Sequence, residues 1–371
     1  MTLQIHQFDL SVQRELFHNT TASVYYQGAL GRELPNFLNL NLNPASVATP
    51  TNTAQSTMYQ STLTVVDSAG SATATDCGPV ACGTAITYNV YAKTAAPTSG
   101  STVPTYVNNN YGSVTEVVSN INSSYHALIV DVQNRGSKYA QYDVNYTWAH
   151  ALDYNQNQST SPSANSWYDP WANPKANYGN SSFNVPNRLV AWAMLNYPGN
   201  QTGLLRYVTN GWHLNPVLQI QNGLPYSAGT SGTQPATTIG SYKYTAAGSG
   251  MNGSASSSYL LQLGRNTFKQ PNTTVLDMRL QKDLKVNDRF NFELLCEAFN
   301  VLNHQNVTGV NSTAYSINGT ATATLPANSL VFQNPGTGKG VNASGFGTVS
   351  NADSNFVYSQ RQIQLGIKLD F

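Results

Sequence analysis

Apolar and polar residues alternate with a period of two along most of this chain. The clearest case is RQIQLGIKLDF, where Ile363, Leu365, Ile367, Leu369 and Phe371 fall on one side of an extended strand. Gln362, Gln364, Gly366, Lys368 and Asp370 fall on the other. Successive side chains on a strand point to opposite faces, so this pattern predicts a strand with one apolar and one polar face. The same pattern predicts strands at FDLSVQ, ASVYYQ, LIVDVQ, YAQYDVNYTW, WHLNPVLQIQ, VLDMRLQK and RFNFELLCEAF. RLVAWAMLNY is apolar on both faces, so it is read as a strand of undetermined orientation. The total is nine. Pro216, inside WHLNPVLQIQ, lacks a ladder N–H and predicts a bulge or an open patch.

Connections alternate sharply in length. Short turns are expected at Phe17–Thr20, Asn134–Lys138 and Lys285–Asp288, with a somewhat longer link near Pro198–Arg206. Between them lie long segments, roughly residues 31–123, 151–187, 223–272 and 301–360, rich in Gly, Ser, Thr and Asn. Structureless loops of that length argue against an ordinary compact domain. Strands of about ten residues, apolar outside and polar inside, with short turns at one end and long loops at the other, fit an outer-membrane β-barrel. If the short turns are periplasmic, the first and the ninth strands both run inward. A closed bacterial barrel has an even strand count. Nine strands therefore imply either an unrecognised strand or the last part of a larger barrel.

Composition sharpens this picture. Only 9% of residues are charged, against roughly a quarter in soluble domains. The net charge of +1 gives no footprint for nucleic acid. Hydrophobic residues at 40% and aromatic residues at 11%, often in strict alternation, argue against disorder. No apolar run reaches the roughly 18 residues of a membrane helix. The opening residues already read as a strand rather than as a secretion leader. A soluble β-sandwich is the remaining architectural alternative. Tyr and Trp near strand ends suit the headgroup level of a bilayer.

No catalytic signature is present, and the chain is read as a non-enzyme without cofactor or metal. NPGTGKGVN has Gly340 where a phosphate-binding loop needs Ser or Thr. The six His are scattered. Glu293 and Glu297 lie four apart on one strand face, too far to share a proton, and read as polar wall. Cys77 and Cys82, in DCGPVACG, are either a small disulfide loop or two free thiols. Cys296 reads as a small hydrophobe. Trp167, Tyr168 and Trp171, in WYDPW, could stack on a sugar ring or pack within their own loop.

Several stretches carry a resemblance. FDLSVQREL, YQGALGRELPNFLN, YTWAHALD, NGLPYS, GRNTF, EAFNVLNHQN and RQIQLGIKLDF occur in order along nearly the whole chain. With them the chain resembles the C-terminal barrel region of TonB-dependent outer-membrane receptors, of the Oar-like type with a carboxypeptidase-regulatory-like domain found in acidobacteria. The resemblance implies that residues 1–371 are part of a 22-stranded barrel in the bacterial outer membrane. It places the signal peptide, regulatory-like domain, plug and TonB-contacting box upstream. It implies uptake of a bulky nutrient, such as an oligosaccharide, a peptide or a siderophore-like molecule, with the TonB complex reached only through those upstream parts. It also makes Ile363, Leu365, Ile367, Leu369 and Phe371 the signal read by the barrel-assembly machinery, with lipid against their face. The alternative function is a surface or adhesive barrel whose loops bind a partner without transport.

Overall fold

A computed structural model describes residues 3–17, 19–42, 58–97, 103–104, 107–108, 110–112, 114–154, 174–253, 258–286, 290–334, 345–353 and 360–371. Nine long strands form one antiparallel wall in which each pairs with the next along the chain. They are β1 (Gln4–Phe17), β2 (Thr20–Asn39), β3 (Thr115–Asn134), β4 (Ala140–Asp153) and β5 (Asn187–Tyr197). β6 (Trp212–Gln221), β7 (Thr273–Lys285), β8 (Asn291–Phe299) and β9 (Gln362–Asp370) complete it. These are the nine segments expected from alternation, and the connections fall where the sequence places them, except that β2 and β3 continue into the expected first long loop, β2 as far as Asn39 and β3 from Thr115. Among the described residues, β1 pairs only with β2 and β9 only with β8, so the wall has two open edges.

The register aligns the apolar positions of neighbouring strands. Leu10 sits opposite Tyr26, Tyr26 opposite Leu128, and Leu128 opposite Trp148. Further on, Leu218 is opposite Leu276, Leu280 opposite Cys296, and Cys296 opposite Leu365. A one-residue slip anywhere would turn a strand's apolar row to the other face, so this agreement across nine strands fixes the register. It also orients β5. Leu189 pairs with Tyr146 and Ala191 with Leu218, which puts Leu189, Ala191 and Leu195 on the apolar face and Val190 and Trp192 on the polar one.

Pro216 opens a patch without a bulge. Towards β7 the pairing is unbroken, while towards β5 it stops at Leu214 and resumes at Val217 in the same register. Gly28 solves a local packing problem. Phe8 lies across it, and a Cβ there would fall 2.2 Å from the Phe8 ring. The Phe8 ring can thus reach Tyr26 and His126, at centroid distances of 6.0 and 6.2 Å.

The long loops are not structureless, which corrects the expectation drawn from their composition. Segments of three of them build a second sheet, in the order Thr237–Ile239, Tyr242–Ala246, Ala85–Pro97, Met58–Val66, Ser329–Phe332, Thr313–Asn318, Gly229–Ser231 and Ser258–Tyr259. The main hydrophobic core lies here and not in the wall. Tyr59, Leu63, Val65, Ile86, Tyr88, Val90, Tyr315 and Leu330 are all buried in it. The physical reason is that loops lying over one another exclude water from their apolar sides, whereas the wall offers its apolar row outward.

Candidate functional site

The inward row of the wall is polar and cross-linked. On β7, Asp283, Gln281 and Arg279 follow one another on this face. The Gln281 amide donates to Asp283 at 2.8 Å, and Arg279 lies 3.8 Å from Glu297 on β8. Glu293 sits 3.5 Å from the Lys368 ammonium on β9. The two glutamates read as polar wall therefore each face a cation, and they do not face each other. Such exposed pairs contribute little stability but fix which charges face the interior.

His213 occupies the short-turn end of this row. Its Nε2 lies 3.0 Å from Asp283 Oδ2, and its Nδ1 lies 2.7 Å from Asn196 Oδ1. The Asn196 amide nitrogen donates to Lys138 O at 3.2 Å, which leaves its oxygen for the imidazole. An acceptor oxygen thus lies within hydrogen-bond distance of each ring nitrogen. Beside it is a cavity of about 390 Å³, lined by Arg206, Tyr207, Asn210, Asp283 and Lys285 among others. The sequence reading missed this His–Asp contact because the two residues are 70 positions apart.

At the loop end, Arg265 of GRNTF ties three segments together. It is buried, and its guanidinium donates to Asn177 O at 2.8 Å, to Gly179 O at 3.0 Å, and to the Asp153 backbone carbonyl. It also pairs with the Asp153 carboxylate at 2.5 Å. Asn266, next to it, takes a left-handed backbone (φ 55°) and donates to Asn180 O at 2.7 Å. Asn tolerates that conformation better than most residues. The motif thus fastens the loop after β6 to the end of β4 and the loop before β5.

EAFNVLNHQN is a second fastener. Asn300 and Asn303 both have positive φ, 47° and 49°. The Asn300 side chain bonds to the backbone of His304 at both ends, and its own N–H donates to Asp277 at 2.8 Å. Asn303 accepts from Arg361 N at 3.1 Å, and Asn306 accepts from Thr274 N at 2.8 Å. The top of β8 is in this way stitched to β7 and to the residue before β9.

Cys77 and Cys82 are joined by a disulfide, with Cα atoms 5.2 Å apart. Tyr315, from the loop after β8, seats this small ring. Its hydroxyl donates to Cys77 O at 2.7 Å and accepts from Val80 N at 3.0 Å. Burial pushes this phenol up to about 12. Tyr259, which donates to Ala176 O at 2.8 Å, is likewise pushed to about 12 by burial. Burial also raises Tyr59, whose hydroxyl donates to Pro235 O at 3.0 Å.

Trp167, Tyr168 and Trp171 lie outside the described residues. Ile363, Leu365, Ile367, Leu369 and Phe371 are all exposed, Leu365 at 81% and Phe371 at 92%. Cys296 is half-buried, on the apolar row opposite Leu365. His126 and His150 are register partners, but His126 bonds the Tyr26 hydroxyl at 2.9 Å and His150 bonds Asn180 at 3.0 Å. Among the described residues no group of three or more His, Cys, Asp or Glu could hold a metal. No helix among them is long and apolar enough to cross a membrane.

A comparison with curated proteins gives no match. The family model for the outer membrane beta barrel domain matches residues 2–364. That span contains the first eight strands of the wall and all of the loop sheet, and it agrees with strands whose apolar row faces outward and whose charges face inward. The chain belongs to the outer membrane beta barrel domain family, and its place is the bacterial outer membrane.

Proposed function

We propose that this chain is the wall and mouth of a TonB-dependent receptor that takes up a bulky nutrient. The observation that carries this reading is the division of labour between its two sheets. A polar, charge-bearing inner row suits the side of a passage, and a cored loop sheet at its mouth suits capture of a ligand too large for a simple pore. The motifs of the resemblance support it, since GRNTF and EAFNVLNHQN hold the mouth to the wall. The two open edges run in the same direction, so an antiparallel barrel closes on them only with an odd number of further strands. Transport would be driven by displacement of a plug and involves no bond-making at this site.

The alternative, a surface protein whose loops bind a partner without transport, is favoured by the loop core alone, because a rigid cored mouth also suits adhesion. Deletion of the gene separates the two. Loss of uptake of an oligosaccharide, peptide or siderophore supports the receptor. Normal uptake of all three together with lost attachment sinks it in favour of adhesion.

A further inference from the structure

The link between β5 and β6 is longer than the other turns at its end of the wall, and it has two sides. Gly203–Leu205 form a 3-10 turn that runs into one α-helical turn, Arg206–Thr209. Leu204 and Val208 are four residues apart with Leu205 beside them, so all three fall on one side of the helical path. Arg206 and Tyr207 fall on the other. Leu204, Leu205 and Val208 are 86, 63 and 67% exposed. Arg206 is the only charged residue between Tyr197 and Trp212. Single exposed apolar residues are common on any protein, but three side by side mark an interaction surface.

Contacts at both ends of this link place it across the rim of the wall. Trp212 is on the outward row, opposite Tyr197 on β5 and Lys282 on β7. Its indole N–H donates to Val208 O at 2.8 Å. Lys282 is on the same outward row, opposite Leu294, yet it is buried. Its ammonium bonds the Asn210 carbonyl and lies 5.3 Å from the Trp212 ring centroid. The last residues of the link therefore lie against the outward face and cover its lysine. On the inward side, Arg206, Tyr207 and Asn210 line the cavity that His213 and Asp283 also line. The Arg206 guanidinium rests on the Tyr207 ring, 4.7 Å from its centroid. With the polar side turned to that cavity, the side carrying Leu204, Leu205 and Val208 is turned away from the interior.

We infer that this link is an interfacial anchor, in which Leu204, Leu205 and Val208 enter the lipid leaflet on the short-turn side. The occupant of the patch is lipid because the patch continues the outward row through the Val208–Trp212 contact. Tyr197 and Trp212 supply the aromatic level at which an amphipathic turn lies in a membrane boundary. The anchor adds a lipid contact beyond the ends of the strands. It also fixes the level of the cavity beside His213 relative to the membrane. It holds equally for a receptor and for an adhesive protein, so it does not depend on which of the two this chain is.

The test uses the natural full-length protein with its free cysteine removed by Cys296→Ser. Leu205→Cys, Val208→Cys and Arg206→Cys are each labelled with a nitroxide and placed in vesicles of phosphatidylethanolamine and phosphatidylglycerol. Collisions with oxygen, which concentrates in lipid, are compared with collisions with a neutral nickel chelate, which stays in water and is present on both sides. The expected result is an oxygen-to-nickel ratio several-fold higher at positions 205 and 208 than at position 206. A ratio at 205 and 208 no higher than at 206 overturns the proposal. Exclusion of both reagents from 205 and 208 also overturns it, because protein and not lipid then covers the patch. If either leucine or valine variant does not fold, Leu204→Cys, at the most exposed of the three positions, decides by the same comparison.

Discussion

The wall and the loop sheet are built from the same residue types and treat them oppositely. In the loop sheet Leu63 and Val65 are fully buried, while in β9 Leu365 and Ile367 are 81% and 73% exposed. Both strands alternate with period two. Leu63 is covered by other parts of the chain, whereas Leu365 waits for a solvent that is itself apolar. Period two therefore reports only that one face avoids water. What covers that face, protein or lipid, is read from the second face and from the connections.

Replacing Leu63 with Ala should have the largest effect and should separate the two regions. The side chain is fully buried, so the change costs about 2–5 kcal/mol through lost burial and the cavity left behind. The loss should be confined to the loop sheet. Proteolysis is expected to cut the loops of the variant while the wall keeps its heat-modifiable migration on gels. Loss of the wall together with the loops would show that the two regions fold as one unit.

The next effect tests the other side of the comparison. Leu365→Arg places a charge on the outward row and should destabilise the wall by roughly 2–4 kcal/mol if it lies near the bilayer midplane. Gln364→Arg, one residue away on the inward row, should be far milder. Unfolding in lipid vesicles with denaturant measures both. Equal costs would mean that the two faces have been exchanged.

The wall was legible in the sequence and the loop sheet was not, although the signal for the latter existed. Tyr59, Ser61, Leu63 and Val65 share one face by period two, and Ile86, Tyr88, Val90 and Ala92 do the same. All eight are buried. They were hidden because the strands around them are short, often two to six residues, and because their partners come from other loops. Local pattern predicts a strand but does not name its neighbour. A hairpin names its neighbour by its short turn, which is why the wall could be ordered and the loop sheet could not. The same limit applies to the site. GRNTF and EAFNVLNHQN stood out as motifs, yet the contacts of Arg265 with Asp153 and of Asn306 with Thr274 join residues far apart in the chain. Pro216 was readable as a break in the ladder. Which of its two neighbours lost the pairing was not readable.

The smallest effect concerns pH and again divides the regions. Tyr315 is buried in the loop core, and its phenol is raised from 10.0 to about 12 by that burial. A raised phenol means that folding favours the neutral form. The stability it contributes is complete below pH 10 and is lost as pH rises through about 12, because the unfolded chain gives up the proton first. Tyr259 behaves in the same way. The loop sheet should therefore loosen between pH 10 and 12, seen as a fall in near-ultraviolet dichroism, while the heat-modifiable migration of the wall is unchanged. Tyr315→Phe removes the titration, and it also leaves the Cys77 carbonyl and the Val80 N–H without their partner. It should cost about 1–3 kcal/mol at neutral pH and flatten the alkaline slope. If the slope is as steep in this variant as in the wild type, Tyr315 is not the group that links the loop sheet to pH, and the disulfide ring is seated by its neighbours instead.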